Sequence, residues 1–253
     1  MNIGEFWENL RELYPDSLSS DWDNDGLMCC PDKNAPVKRV LCALDATMDV
    51  LEYAVRGGFD TVLAHHPMIF RGLKSVTEDS FTAKRVIYAL ENKLSVISLH
   101  TRLDAGAGGV NDTLAEILEL RDIRYFGSRE EPQIGRLGKT EKQSADAFGK
   151  KIKESLAVPF VAAYTCRDVE NVAVIGGGGK DFIFDAIAAG ADTLVTGEVG
   201  YNDGIDAAEA GLNVFAAGHY GTEFPVCETL RRLARDMAGA EAEIYKNLRK
   251  KYF

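Results

Sequence analysis

"KRVLCALDATMDVLEYAVRGGFDTVLAHHP" (residues 38–67) is the stretch from which the fold is read. Two short apolar and β-branched runs, 38–45 and 60–66, flank a segment at 48–58 whose apolar residues recur at helical spacing and which ends on glycine. Strand, helix, strand in that order predicts a mostly parallel sheet covered by helices. The second run stops on His65 and His66, directly before Pro67. A chain with four histidines thus sets two side by side at a strand end, where open α/β sheets deliver functional residues.

The alternation continues outward. A helix is predicted near 83–93, a strand at 94–100 and a helix at 110–120. The pattern then restarts, with strands at 132–141 and 159–166 around a helix at 144–156. Strands at 171–177, 192–198 and 213–219 follow, interleaved with helices near 181–190 and 203–211, and a last helix covers about 223–239. The polar stretch 121–133, ending in "GSREEPQ", reads as the joint between two halves, residues 1–126 and 127–253, with the last helix able to pack back on the first half.

Length and composition fit this organisation. The 253 residues suffice for one large or two small α/β units, and 46% hydrophobic with 27% charged residues is ordinary globular usage. The net charge of −10 argues against a non-specific nucleic-acid coat, whose affinity comes from neutralised phosphates. "MNIGEFWENLRELYP" (1–15) has the spacing of an amphipathic helix, with no basic and apolar regions in the order of a signal peptide. No apolar run reaches the roughly 20 residues that span a bilayer. The five cysteines form no CxxC pair, which suits reduced thiols in a cytoplasmic protein.

All four histidines stand at predicted strand ends. His65 and His66 close one strand. "LHTRLDAGAGGVND" (99–112) brings His100 and Asp104, and "AAGHYGTE" (216–223) brings His219 and Glu223. Imidazole nitrogen and carboxylate oxygen suit zinc, iron or manganese. Neighbouring strand residues point to opposite faces, so His65 and His66 suit one ion poorly while both lie on regular strand. At the turn into Pro67 their rings can enter one cleft at different angles and meet two different ions. Glu223, four residues after His219, can bridge such a pair, about 3.5–4 Å apart, and Asp104 adds a second negative charge. Each residue also has a plainer reading. A single histidine at a strand end is commonly a hydrogen-bonded structural group, and HxxxE at a helix start is commonly capping and charge. Several such groups at three strand ends favour metal.

Other motifs carry less. "GGGGKD" (176–181) lacks phosphate-loop spacing and reads as a glycine-rich strand-to-helix turn that can also present backbone N–H groups to a cleft. In "SDWDNDGLM" (20–28), Asp23, Asn24 and Asp25 read as turn residues or as the rim of the cleft. Lys180 and Arg71 read as solvated cations, with a phosphate contact as the alternative.

"DWDNDGL" (21–27), "LAHHPMIFRGLKSVT" (63–77), "LHTRLDAGAGGVNDTLAE" (99–116) and "DAAEAGLNVFAAGHYGTE" (206–223) together resemble the motifs of the NIF-three-like family, the GTP cyclohydrolase 1 type 2 homologues. The resemblance runs from about residue 4 to about residue 240, in the family's order. It implies an α/β fold of two related halves, with mostly parallel or mixed sheets covered by helices and a dinuclear metal cleft between them. It further implies a toroidal homohexamer and a compact form without the domain that some members insert between the halves. Carried over by motif, His66, Asp104 and Glu223 would hold one divalent ion, and His65, His219 and Glu223 the other. His100 would stand behind the ligands or carry a proton. One departure is Asn202 in "GEVGYND" (197–203), where members often have histidine.

Two functions from different classes follow. One is a metal-dependent hydrolase of the GTP cyclohydrolase kind, acting on a nucleotide or related small molecule through a metal-bridging hydroxide. The other is a non-catalytic, ring-shaped metal-binding scaffold or regulator. A channel around DNA is a weaker third reading, and no membrane partner is expected.

Overall fold

The computed structural model describes residues 1–127 and 133–246. In chain order the elements run α1 (Ile3–Leu13), β1 (Gly26–Cys29), β2 (Arg39–Asp45), α2 (Met48–Arg56), β3 (Thr61–His66), α3 (Phe81–Glu91), β4 (Ser95–Ser98) and α4 (Thr101–Ala105). They continue as α5 (Val110–Ile117), β5 (Arg121–Phe126), β6 (Gly135–Gln143), α6 (Ala145–Ser155), β7 (Ala162–Tyr164), β8 (Val169–Gly178), α7 (Ile183–Ala188), β9 (Thr193–Glu198) and α8 (Tyr201–Glu209). The last are β10 (Asn213–Ala216), α9 (His219–Glu223), α10 (Val226–Ala238) and β11 (Glu241–Ile244). Two compact units emerge, one from residues 1–103 and 226–246, the other from 104–225.

The first unit holds a five-stranded sheet in the order β1-β4-β3-β2-β11. β2, β3, β4 and β11 are mutually parallel and only β1 runs against its neighbour. β3, with a strand on either side, is buried through His65, as an apolar run in a parallel sheet must be. Leu41, Val62, Ala64 and Val96 pack with Val50, Leu51 and Ala54 of α2 and with Val86 and Ala89 of α3. α1 begins with a reciprocal cap: Glu5 N–H donates to Asn2 Oδ1 at 2.8 Å, and Asn2 N–H to Glu5 Oε2 at 2.9 Å.

The second unit holds a six-stranded mixed sheet, β5-β6-β8-β9-β10-β7. β8, β9 and β10 are parallel, while β5, β6 and β7 join antiparallel. Val172, Val174, Val195 and Phe215 cluster with Leu114 and Leu118 from the α5 segment and Phe148 and Ile152 of α6.

The α/β class with two helix-covered sheets is as the sequence led us to expect. Three strands were not foreseen. β1 follows an acidic loop and is only four residues long. β5 falls within the stretch assigned as a joint; five of its six residues are exposed, so it has no apolar alternation to read. Residues 128–132 of that stretch lie outside the described residues. β11 alternates Glu, Ala, Glu, Ile and is fixed by parallel pairing to β2. The sequence reading drew one boundary after residue 126. By compactness, α5 and β5 group with the second unit, because α5 packs on β8 and β5 pairs with β6. α10 and β11 group with the first, because both pack on β2.

Candidate metal centre

In the first unit three histidines converge. His65 and His66 are the last residues of β3, and His100 follows β4, the parallel neighbour of β3. Their ring centroids lie 4.9 Å (His65–His66), 5.3 Å (His65–His100) and 5.6 Å (His66–His100) apart. One ring nitrogen from each lies within 4.8 Å of the other two. The adjacent pair therefore reaches a common place at the strand's end.

Each of the three rings is oriented through Nδ1. His65 Nδ1 lies 2.9 Å from the Leu99 carbonyl oxygen, His66 Nδ1 2.8 Å from Asp45 Oδ1, and His100 Nδ1 2.8 Å from Asp23 Oδ1. A carbonyl or carboxylate oxygen can only accept, so Nδ1 is the donor and Nε2 carries the lone pair. This is the arrangement that raises the basicity of a metal-binding imidazole and fixes its tautomer. Asp45 was not foreseen in this role, yet it closes β2 directly opposite His66 in the parallel register. A carboxylate at a strand's carboxyl end is the signal that could have found it.

The loop 20–25 belongs to the same unit and is more than a turn. The Asp23 carboxylate accepts from Thr101 N–H at 3.1 Å and Thr101 Oγ1–H at 2.7 Å, besides His100. Burial pushes the Asp23 carboxyl up, but the His100 and Thr101 hydrogen bonds outweigh it and hold the group down at about 2. Asp25 accepts His100 N–H and both Nε and Nη2 of Arg102, the latter two at 2.8 and 2.7 Å. The main chain on both sides of His100 is thereby tied down.

In the second unit Glu223 is central. It is buried at the end of α9, one helical turn from His219, and its Oε2 lies 3.0 Å from His219 Nε2. A carboxylate oxygen of Asp104 also lies within 4.8 Å of one on Glu223. His219 Nδ1 faces Glu198 Oε2 at 3.4 Å, and Glu198 closes β9 as Asp45 closes β2. Gly177 explains how α9 can sit so close to β8. Its φ of +64° favours glycine, and a Cβ there would collide with Glu223 Oε1 and come within 3.2 Å of His219 Nε2. Gly177 N–H donates to Thr222 Oγ1 at 3.1 Å. "GGGGKD" is thus the glycine-rich end of β8, Gly176 to Gly178, and the step into the next helix, and it makes room for Glu223 and His219; Lys180 is exposed, as is Arg71 in the first unit.

Asp104 is positioned from behind. Asn111 Nδ2 donates to the Asp104 carbonyl at 3.3 Å, and Asn111 Oδ1 accepts Gly176 N–H at 2.7 Å. Arg136, fully buried, donates to the carbonyls of Ala105, Gly106 and Ile134 and pairs with the Asp112 carboxylate. Neither Asn111 nor Arg136 is legible in the sequence, because both act on the backbone around Asp104.

Clusters of His, Asp and Glu able to hold a metal ion are therefore present, and the donor set is the borderline nitrogen and oxygen mixture that divalent first-row ions take. Among the described residues, no helix is long and apolar enough to cross a membrane.

Comparison with known proteins gives a consistent picture. The model of the Duf34/NIF3 (NGG1p interacting factor 3) family matches residues 1–248. A Clostridium perfringens protein named GTP cyclohydrolase 1 type 2 homolog is 30% identical over 249 residues, covering 96% of this chain and 95% of the relative. A Clostridium acetobutylicum protein of the same name is 32% identical over 232 residues, covering 89% and 86%. Among solved structures, a Bacillus cereus protein related to NIF3 superposes with a TM-score of 0.90 at 21% identity, covering 100% of this chain and 99% of that one, which speaks for the fold.

Proposed function

Because the chain belongs to the Duf34/NIF3 family, we propose that it is a dinuclear metal-dependent hydrolase of the GTP cyclohydrolase 1 type 2 kind, acting on a nucleotide or related small molecule. As the family resemblance implies, His66, Asp104 and Glu223 would hold one divalent ion and His65, His219 and Glu223 the other; zinc, iron and manganese all suit this set. The observation that supports the reading is the anchoring of His65, His66 and His100 through Nδ1, which leaves Nε2 of each ring as the nitrogen able to ligate a metal. When bound, the ions supply Lewis acidity toward the substrate and toward a water molecule.

The chain's own residues do the rest. Glu223, whose carboxylate lies near both Asp104 and His219, would be the carboxylate shared between the ions. His100, held through Nδ1 by the Asp23 carboxylate beside His65 and His66, would be the residue that carries a proton. We further propose that the working unit is a toroidal homohexamer in the cytoplasm.

Elemental analysis of protein purified without added metal should find two first-row ions per chain. Protein loaded with manganese, iron or zinc should hydrolyse at least one member of a nucleotide and phosphoester panel, and Asp104→Ala and Glu223→Ala should abolish that turnover. Activity retained in both variants would sink the mechanism. The alternative is a non-catalytic metal-binding scaffold, favoured by the exposed Asn202 where family members often carry histidine. Two bound ions with no turnover on the whole panel would decide for it.

A further inference from the structure

Two large aromatic side chains remain in solvent beside the histidine cluster of the first unit. Trp22 is 58% and Phe70 47% exposed. Their centroids are 6.1 Å apart, and both meet His100 edge-on, Trp22 at 6.1 Å and 80° and Phe70 at 6.3 Å and 84°. Exposed aromatics are common on mobile loops, but this pair stands on anchored backbone. Trp22 directly precedes Asp23, which is bound to His100 and Thr101. Asn24 Nδ2 donates to the Ile69 carbonyl, tying the Trp22 loop to the residue before Phe70. Ordering the rings in advance removes an entropic cost that a ligand would otherwise bear.

We propose that Trp22 and Phe70 form a stacking subsite for a planar heteroaromatic ring of the substrate, placed beside His100. This rests on the hydrolase reading and names the substrate's chemical class. A ring is favoured over an aliphatic group because two half-exposed aromatic side chains offer π-surface on which bases stack, with little regard for substituents. Arg71, exposed next to Phe70 in the chain, supplies positive charge for an anionic substituent on an otherwise acidic protein. A ring held there lies against His100, a nitrogen of which is within 4.8 Å of nitrogens of His65 and His66, so its substituents reach the ligand-bearing strand end.

The test uses the full-length, metal-free protein in a Trp7→Phe background, where Trp22 is the remaining indole. Guanosine, adenosine and uridine monophosphates are titrated, with ribose 5-phosphate as the ringless control. At least one nucleotide should quench Trp22 fluorescence saturably, and ribose 5-phosphate should not. By equilibrium dialysis, Trp22→Ala and Phe70→Ala should each weaken that nucleotide about ten-fold or more, while Trp22→Phe, which keeps a ring, should stay within about three-fold of wild type. The subsite is overturned if no nucleotide quenches, if ribose 5-phosphate binds as well as the nucleotides, or if the alanine variants bind unchanged. It is equally overturned if those variants lose affinity only by dissociating a larger assembly in sedimentation, since the rings would then be a subunit contact. Quenching with no turnover by the metal-loaded protein would leave the subsite standing and remove the hydrolase reading.

Discussion

Asp23 Oδ1 lies 2.8 Å from His100 Nδ1, although the two residues are 77 positions apart in the chain. The Asp23 side chain is fully buried and also accepts two hydrogen bonds from Thr101. Its carboxyl sits at about 2, below the ordinary 3.8, because the hydrogen bonds overcome burial. A lowered folded-state pKa stabilises the protein above the unfolded value, and that contribution fades as pH falls through the folded one. In metal-free protein, Asp23→Asn should cost about 1–3 kcal/mol at pH 6. The gap from wild type in urea unfolding should shrink as pH drops from near 4 toward 2. A gap that stays constant over this range would show that the carboxylate charge is not what holds His100.

Gly177 makes a sharper test of the second unit. At φ +64°, alanine is strained, and its methyl group would strike the Glu223 carboxylate. Gly178, one residue on, has nothing within 4 Å of where a Cβ would stand. Gly177→Ala should therefore lose about 1–3 kcal/mol of stability, with zinc affinity reduced about ten-fold or more through the displaced carboxylate. Gly178→Ala should leave zinc affinity within about two-fold, since it meets no ligand. Calorimetric titration of zinc together with thermal melts of both variants checks this. Equal zinc affinity in the two variants would contradict a metal-holding role for Glu223 and His219 at their close approach to Gly177.

Cysteine reactivity probes the burial of the first sheet. Burial, with a further push from neighbouring Cys30, raises the Cys29 thiol to about 11, and Cys42 is pushed up by its deeper burial. Cys166 is exposed. At pH 8 only about 0.1% of a thiol with such a raised pKa is thiolate, the species that reacts. Brief iodoacetamide treatment followed by peptide mass spectrometry should find Cys166 modified first, with Cys29 and Cys42 modified only after denaturation. Early labelling of Cys29 would mean that β1 opens readily from the sheet edge.

What the sequence revealed and what it hid divide along physical lines. β3 was legible because a strand covered on both sides needs an unbroken apolar run, and His65 and His66 stood out where that run ends. β5 was illegible because its pairing to β6 is made by backbone while its side chains face water. His219 and Glu223 could be picked out as a pair at helical spacing. Asp45 and Glu198 could not be told from surface carboxylates until the strands beside them were in place. Asp23 looked like a turn residue, since a loop aspartate's role depends on what packs above it. Gly177 reads as part of a turn but lies in β8, and the collision that disfavours any other residue there involves Glu223, which comes from a different element.

Arg136 holds the main chain next to Asp104. Its guanidinium is fully buried, lies 3.7 Å over the Tyr125 ring, and donates to the carbonyls of Ala105 and Gly106, the two residues that follow Asp104. It also satisfies the Ile134 carbonyl and pairs with Asp112. Removing the buried guanidinium leaves the half-buried Asp112 carboxylate and the Ala105 carbonyl without that donor, so Arg136→Ala should cost about 2–4 kcal/mol. Lysine keeps the charge but cannot reach several acceptors at once, so Arg136→Lys should recover part of the stability and little of the positioning. Zinc affinity in the folded lysine variant is the informative readout, because its backbone after Asp104 has lost its fork of donors. Urea unfolding gives the stability of each variant, and titration at low denaturant gives the affinity. Wild-type zinc affinity in Arg136→Lys would show that the segment after Asp104 holds its shape without the guanidinium, leaving Asn111 as the residue that sets it.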